Sequence, residues 1–145
     1  MPSRREATEL SITIDSRPDH LSRLRTVIGC LAAKLGMTSE EIQDTKLAVT
    51  EACANAIRHG SPDGEDSTVQ IKLVANPSGI LAEVTDQGTG FDVESLVIPT
   101  PGQRPGGLGI PLMRTLSDRV EFLHNTRGMT VRLFKRARRR RSPSF

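Results

Sequence analysis

Apolar and polar residues alternate over Leu10-Ser-Ile12-Thr-Ile14-Asp15, and the β-branched residues in that run predict a half-buried strand. The period then lengthens. Leu21, Leu24, Val27, Ile28, Leu31 and Leu35 recur at helical spacing, which predicts a helix capped by Ser16 and ended by Gly36. Pro18 is tolerated in its first turn, and Asp19 lies near the positive end of its dipole. A second helix is predicted from Thr38, with Glu41 three residues on completing a capping box, to about Gly60. Its core side carries Ile42, Val49, Ala52, Cys53 and Ala56. Glu51 and Asn55, four residues apart, stack on a different, polar side, beside Asp44 and Arg58. After a loop over Gly60-Ser-Pro62-Asp-Gly64-Glu-Asp, alternation returns in Val69, Ile71 and Leu73. The turn residues Asn76-Pro-Ser-Gly79 lead from there into Ile80-Leu-Ala-Glu-Val84, predicting an antiparallel hairpin. Residues 92–107 read as a loop rich in Pro and Gly, of a length usually associated with function or motion. A short helix at about Ile110 to Ser117, with Leu112, Met113 and Leu116 inward, then precedes a last strand pair. That pair is Arg119 to Leu123 and Met129 to Phe134, around the turn Asn125-Thr-Arg-Gly128.

Strands that pair mainly as hairpins, with helices long enough to cover one face, predict an α+β fold. The expected form is a two-layer α/β sandwich with a mixed, mostly antiparallel sheet covered on one face. The chain of 145 residues suits a single domain, placed at residues 10–135 between a flexible N-terminus (1–9) and a basic, disordered tail (136–145). The net charge of +3 hides an asymmetry. Lys135, Arg136, Arg138, Arg139, Arg140 and Arg141 crowd the last eleven positions without an acid, so the body before them is mildly acidic. Such a tail is either solvated or an electrostatic contact, but no aromatic residue interleaves it to stack on bases, so no specific nucleic-acid binding is expected. No apolar run approaches the roughly 18 residues of a membrane span, and the start lacks a signal-peptide core. The expected location is the cytoplasm, away from membranes. Cys30 and Cys53 sit among apolar residues without metal-ligand spacing and are expected to be buried free thiols.

Three stretches carry candidate chemistry. Asp86 ends an apolar strand, where a carboxylate is costly unless something donates to it. Gly88 and Gly90 let the backbone turn tightly and let a ligand approach. Gly106-Gly107-Leu108-Gly109 precedes a helix, where freed backbone amides can cradle phosphate. Each has a plainer reading: the polar helix side as a solvated face, DxGxG as a turn, GGxG as a flexible joint.

In this order and spacing, the set resembles the nucleotide-binding signature of the GHKL ATPase superfamily. Glu51 to Asn55 is similar to its N box, Asp86-Gln-Gly88-Thr-Gly90 to its first glycine box and Gly106-Gly107-Leu108-Gly109 to its second. Gly128-Met129-Thr130 is similar to its last adenine-site element. The resemblance runs from about Leu10 to Lys135. A domain of this size, with EACANAIRHG and GGLGIPLMRTLSDRV, resembles the anti-sigma factor serine/threonine kinases of bacterial partner switching. The resemblance implies that Asp86 accepts the adenine amino group, with Thr130 helping through its hydroxyl. It further implies that Asn55 gives its oxygen to Mg²⁺ on ATP, with Arg58 in the same box. Gly88, Gly90, Gly106, Gly107, Leu108 and Gly109 would enclose the nucleotide, and Arg104 is a candidate cation for the γ-phosphate.

Glu51 divides the readings. One turn from the metal ligand, it can accept the proton of an attacking hydroxyl, which makes the chain a kinase if that hydroxyl is a partner's Ser or Thr and an ATPase if it is water. No P-loop GxxxxGK[ST] occurs, and His59 reads as ordinary N-box sequence. The leading expectation is a homodimeric kinase that uses Mg²⁺ and ATP to phosphorylate an anti-anti-sigma (STAS-domain) protein and sequesters a sigma factor. The alternatives are an ATP-binding regulator that sequesters its partner without phosphorylating it, and an ATPase domain that docks into a larger complex through its basic tail.

Overall fold

The computed structural model describes residues 7–88, 109–125 and 128–138. In chain order these form β1 (Thr8–Asp15), α1 (Leu21–Lys34), α2 (Ser39–His59), β2 (Thr68–Asn76), β3 (Gly79–Thr85), α3 (Gly109–Leu116), β4 (Arg119–Asn125) and β5 (Gly128–Arg136), with single 3-10 turns at Pro18–His20 and Gly64–Asp66. The sheet order is β1-β2-β3-β5-β4. All its pairings are antiparallel, so the parallel component of the expected mixed sheet is absent among the described strands. The reason is topological. The path through α3 returns β4 in the direction of β3, but β5 folds back between them and separates the two.

One sheet face is covered. Leu24 and Ile28 of α1 and Val49, Ala52, Cys53 and Ala56 of α2 are buried in one cluster with Val69, Ile71, Leu73, Ile80, Ala82, Val84, Val131 and Leu133 of the sheet. Strand alternation sends the intervening residues to the other face, which no helix covers among the described residues. There Glu9, Lys72, Glu83, Arg132 and Glu121 form a ladder of opposite charges, with Glu9–Lys72 at 3.3 Å, Glu83–Arg132 at 2.7 Å and Glu121–Arg132 at 3.7 Å. Lys72 stands directly opposite Glu83 in the register. Such half-exposed pairs each contribute about 0.2–1 kcal/mol.

Several local expectations hold. Thr38 caps α2 in a full capping box, donating its N–H to Glu41 Oε1 (2.8 Å) and accepting the Glu41 N–H on Oγ1 (3.1 Å). Gly36, at φ 75°, stops α1 in the left-handed region where glycine fits. Both hairpins form.

Others need correction. Ser16 does not cap α1, which follows the 3-10 turn without a side-chain cap; its buried hydroxyl instead accepts from Ser61 Oγ at 2.6 Å, and its N–H donates to Ser67 O. Cys53 is buried but Cys30 is exposed, because it is two positions past Ile28 and therefore about 200° around the helix. Ordered structure also exceeds the expected boundaries at both ends. β1 starts at Thr8, and beyond β5 the Ala137 N–H donates to Ser78 O (2.9 Å) and the Arg138 N–H to Glu41 Oε2 (3.1 Å). The rest of the basic tail, residues 139–145, lies outside the described residues. Among the described residues no helix is long and apolar enough to cross a membrane.

Candidate functional site

The sheet delivers Asp86 to the C-terminal end of α2. Its N–H donates to Met129 O (2.9 Å), which extends the β3–β5 ladder by one residue and turns the side chain inward, to 6% exposure. A carboxylate so buried needs donors. Oδ1 takes two, the backbone N–H groups of Gly88 (3.0 Å) and Met129 (3.1 Å). The loop after Asp86 is tied down as well: the Gln87 N–H donates to Gly60 O (3.1 Å), and Gln87 Oε1 accepts the Thr68 N–H (2.7 Å).

Three glycines permit this convergence. A Cβ on Gly128 would lie 1.8 Å from Asp86 O, one on Gly88 2.6 Å from Gly60 Cα, and one on Gly60 2.1 Å from Asp86 Cγ. Gly60 reads in the sequence as a helix stop, but its φ is −113°, an ordinary value. Its missing side chain serves the packing of the carboxylate, a role that pairs residues 60 and 86 and has no local signal.

On α2, Asn55 is 2% exposed, although the sequence assigns it to a polar side away from the core. α3 packs alongside α2 with Met113 fully buried, so the flanks of α2 are not all left to water as two layers alone would leave them. Asn55 Oδ1 accepts from the Arg58 guanidinium, and Nδ2 has no partner among the described residues. Glu51, one turn earlier, is half-buried and makes no hydrogen bond or ion pair among the described residues. Burial holds the His59 imidazole below its ordinary pKa, helped by the nearby Arg58 cation and opposed by Asp86.

Thr130 is placed differently from Asp86. Its hydroxyl pairs with Thr85 Oγ1 at 2.8 Å, and since Val84 and Val131 are buried under the helices, alternation sends this threonine pair to the helix-free face. Sequence reasoning placed Met129 only as the strand's start, yet it is Met129, through both its N–H and its C=O, that meets Asp86. Gly109 opens α3, while Gly90, Arg104, Gly106, Gly107 and Leu108 lie outside the described residues.

The donor set limits what metal fits. Among the described residues no three His, Cys, Asp or Glu side chains cluster to hold an ion. A transition metal with its several protein ligands has no site there. One amide oxygen suits Mg²⁺, which keeps waters and binds through phosphate oxygens, and the unpartnered amide nitrogen beside it is a donor for such oxygens. Two grooves among the described residues, about 320 Å³ beside β1 and α1 and about 350 Å³ on the helix-free face, touch neither Asp86 nor Asn55.

Known proteins resemble this chain in sequence and in fold. The histidine kinase-like ATPase domain matches residues 14–135. A serine-protein kinase RsbW from Bacillus pumilus is 34% identical over 143 residues, covering 91% of this chain and 88% of its own. An anti-sigma F factor from Clostridium beijerinckii is 32% identical over 118 residues, covering 78% of this chain and 82% of its own. Among solved structures, the RsbU and RsbW domains of a Mycobacterium tuberculosis protein superpose with a TM-score of 0.65 at 22% identity, covering 89% of this chain and 32% of that one, a likeness of fold.

Proposed function

This chain belongs to the histidine kinase-like ATPase family, and we propose that it is an anti-sigma factor protein kinase that transfers the γ-phosphoryl group of ATP to a serine or threonine of an anti-anti-sigma, STAS-type protein. The observation that carries the reading is the pairing of a buried, backbone-held carboxylate, Asp86, with a buried, half-satisfied carboxamide, Asn55, at one end of α2. Asp86 spends Oδ1 on Gly88 and Met129, leaving Oδ2 to accept the exocyclic amino group of adenine. Guanine presents a carbonyl there and would meet a second acceptor, so the pocket selects ATP.

Asn55 Oδ1 would hold Mg²⁺, which would neutralise charge developing on the phosphates. Glu51 accepts the proton of the attacking hydroxyl as its oxygen bonds to the γ-phosphorus and the bond to the β-γ bridging oxygen breaks, releasing ADP. Gly88, Gly90, Gly106, Gly107, Leu108 and Gly109 bound the phosphates, with Arg104 as the cation for the γ-phosphate. Thr130, on the other sheet face, acts through the strand it anchors. The unphosphorylated partner releases the sigma factor that the kinase otherwise holds, and the working form is a homodimer. The anti-sigma F relative supports the sigma-binding half of this reading.

The test is incubation with γ-labelled ATP, Mg²⁺ and the STAS-domain proteins of the same genome. Label on a partner Ser or Thr is the expected result. Nucleotide binding with no label on any of them would make the chain a sequestering regulator instead.

A further inference from the structure

Asn55 presents an unusual balance of groups. Its side chain is almost wholly buried, its nitrogen lacks a partner among the described residues, and its oxygen is held by a full positive charge rather than a neutral donor. That charge belongs to Arg58, one turn along the same helix and exposed to solvent. Charge-assisted bonds are short and strong, so a guanidinium on Oδ1 marks that oxygen as a position where positive charge is favoured. Two carboxylates explain why. Glu51 lies one turn before Asn55, and Asp86 packs against Gly60 at the same end of the helix. An exposed arginine changes rotamer in picoseconds to nanoseconds, so it can leave the buried oxygen without moving the helix.

We infer that Arg58 is a stand-in for the metal ion: its guanidinium holds Asn55 Oδ1 while the site is empty of nucleotide and surrenders that oxygen when Mg²⁺ arrives with ATP. The inference rests on the reading of Asn55 as metal ligand and adds to it a competition. Arg58 and Mg²⁺ want the same lone pairs, so Arg58 sets the Mg²⁺ concentration at which nucleotide is held. It also keeps the carboxamide in place in the meantime. Released, the guanidinium is free to face the phosphates, and the cation count near the two carboxylates does not fall when the exchange occurs.

The test is binding of a fluorescent ATP analogue over a series of Mg²⁺ concentrations, with wild type, Arg58→Ala, Arg58→Lys and Asn55→Ala. Competition predicts that Arg58→Ala lowers the Mg²⁺ midpoint by about three- to tenfold, the size of losing one partly exposed charge-assisted hydrogen bond. Arg58→Lys, which keeps a cation, should return the midpoint to within about twofold of wild type. In the Asn55→Ala background the Arg58→Ala change should no longer move the midpoint, because the contested oxygen is gone. A midpoint unchanged in Arg58→Ala, with affinity lower at every Mg²⁺ concentration, would reduce Arg58 to a phosphate contact and overturn the inference. A raised midpoint would overturn it too, making Arg58 an aid to the metal. An Mg²⁺ dependence untouched by Asn55→Ala alone would refute the ligand reading itself.

Discussion

The two ends of α2 are built to different rules. At the N-terminal end the buried polar side chains, Glu41 and Thr45, find partners. Glu41 uses one carboxylate oxygen on the Thr38 N–H and the other on the Arg138 N–H, its carbonyl accepts from Thr45 Oγ1 at 2.7 Å, and Asp44 meets Lys135 at 3.4 Å. About 21 Å away, at 1.5 Å per residue, the other end holds Asn55 Nδ2 unpaired, a carboxylate, Glu51, without a partner among the described residues, and three glycines packed around Asp86. Buried polar groups are normally satisfied, and natural sequences break local rules mainly where function demands it. One end therefore fixes the helix against the sheet, and the other keeps binding capacity in reserve. Mutations should separate along the same line, into losses of stability and losses of ligand.

The sharpest break should come at Asp86. Asp86→Asn keeps an oxygen for the Gly88 and Met129 N–H groups but turns the second acceptor into a donor. ATP affinity should fall by about 100-fold while the melting temperature stays nearly unchanged. A protein that instead unfolds would place Asp86 with the structural end.

At the opposite end, Glu41→Ala should cost about 1–2 kcal/mol of stability in a denaturant titration and leave nucleotide affinity within about twofold. Acid should expose the same contact. Burial raises the Glu41 pKa, but the Thr38 and Arg138 N–H groups outweigh it and hold it below its ordinary value. A carboxylate depressed in the folded state stabilises fully above its unfolded pKa, and that contribution is lost as pH falls through the folded one. Glu41→Gln should flatten this acid limb of the stability curve.

A chain ended after Arg138 should be as stable as the full chain, whereas one ended after Lys135 loses the Arg136, Ala137 and Arg138 bonds and at least about 1 kcal/mol. If the shorter chain instead loses its partner while keeping its stability, the basic segment is a docking element.

The smallest effect is electrostatic. Removing the Arg58 cation in Arg58→Ala should raise the His59 pKa toward its ordinary value in an NMR titration. An unmoved His59 would separate Arg58 from the group around Asp86.

How legible each feature was follows from how local its cause is. The α2 capping box and both hairpins were readable because three or four neighbouring residues decide them. Ser16 looked like a helix cap by the same local logic, but Ser61 and Ser67, brought in by the fold, claim it instead. The exposure of Cys30 was within reach of a helical wheel, since it falls off the stripe of Leu24, Ile28 and Leu31. The burial of Asn55 was not, because on the wheel of α2 alone it falls on the polar side with Glu51. Gly60 and Met129 were recognisable as a helix end and a strand start; only the folded backbone makes them neighbours of Asp86.

The most direct measurement compares Glu51→Ala with wild type in two assays on the same preparations, binding of a fluorescent ATP analogue and transfer of labelled phosphoryl to the STAS-type partner. The Glu51 side chain makes no hydrogen bond or ion pair among the described residues, so binding should stay within about threefold while transfer falls at least about 100-fold, the range of general-base catalysis. Full transfer by the variant would contradict the division of α2 into a structural end and a chemical one.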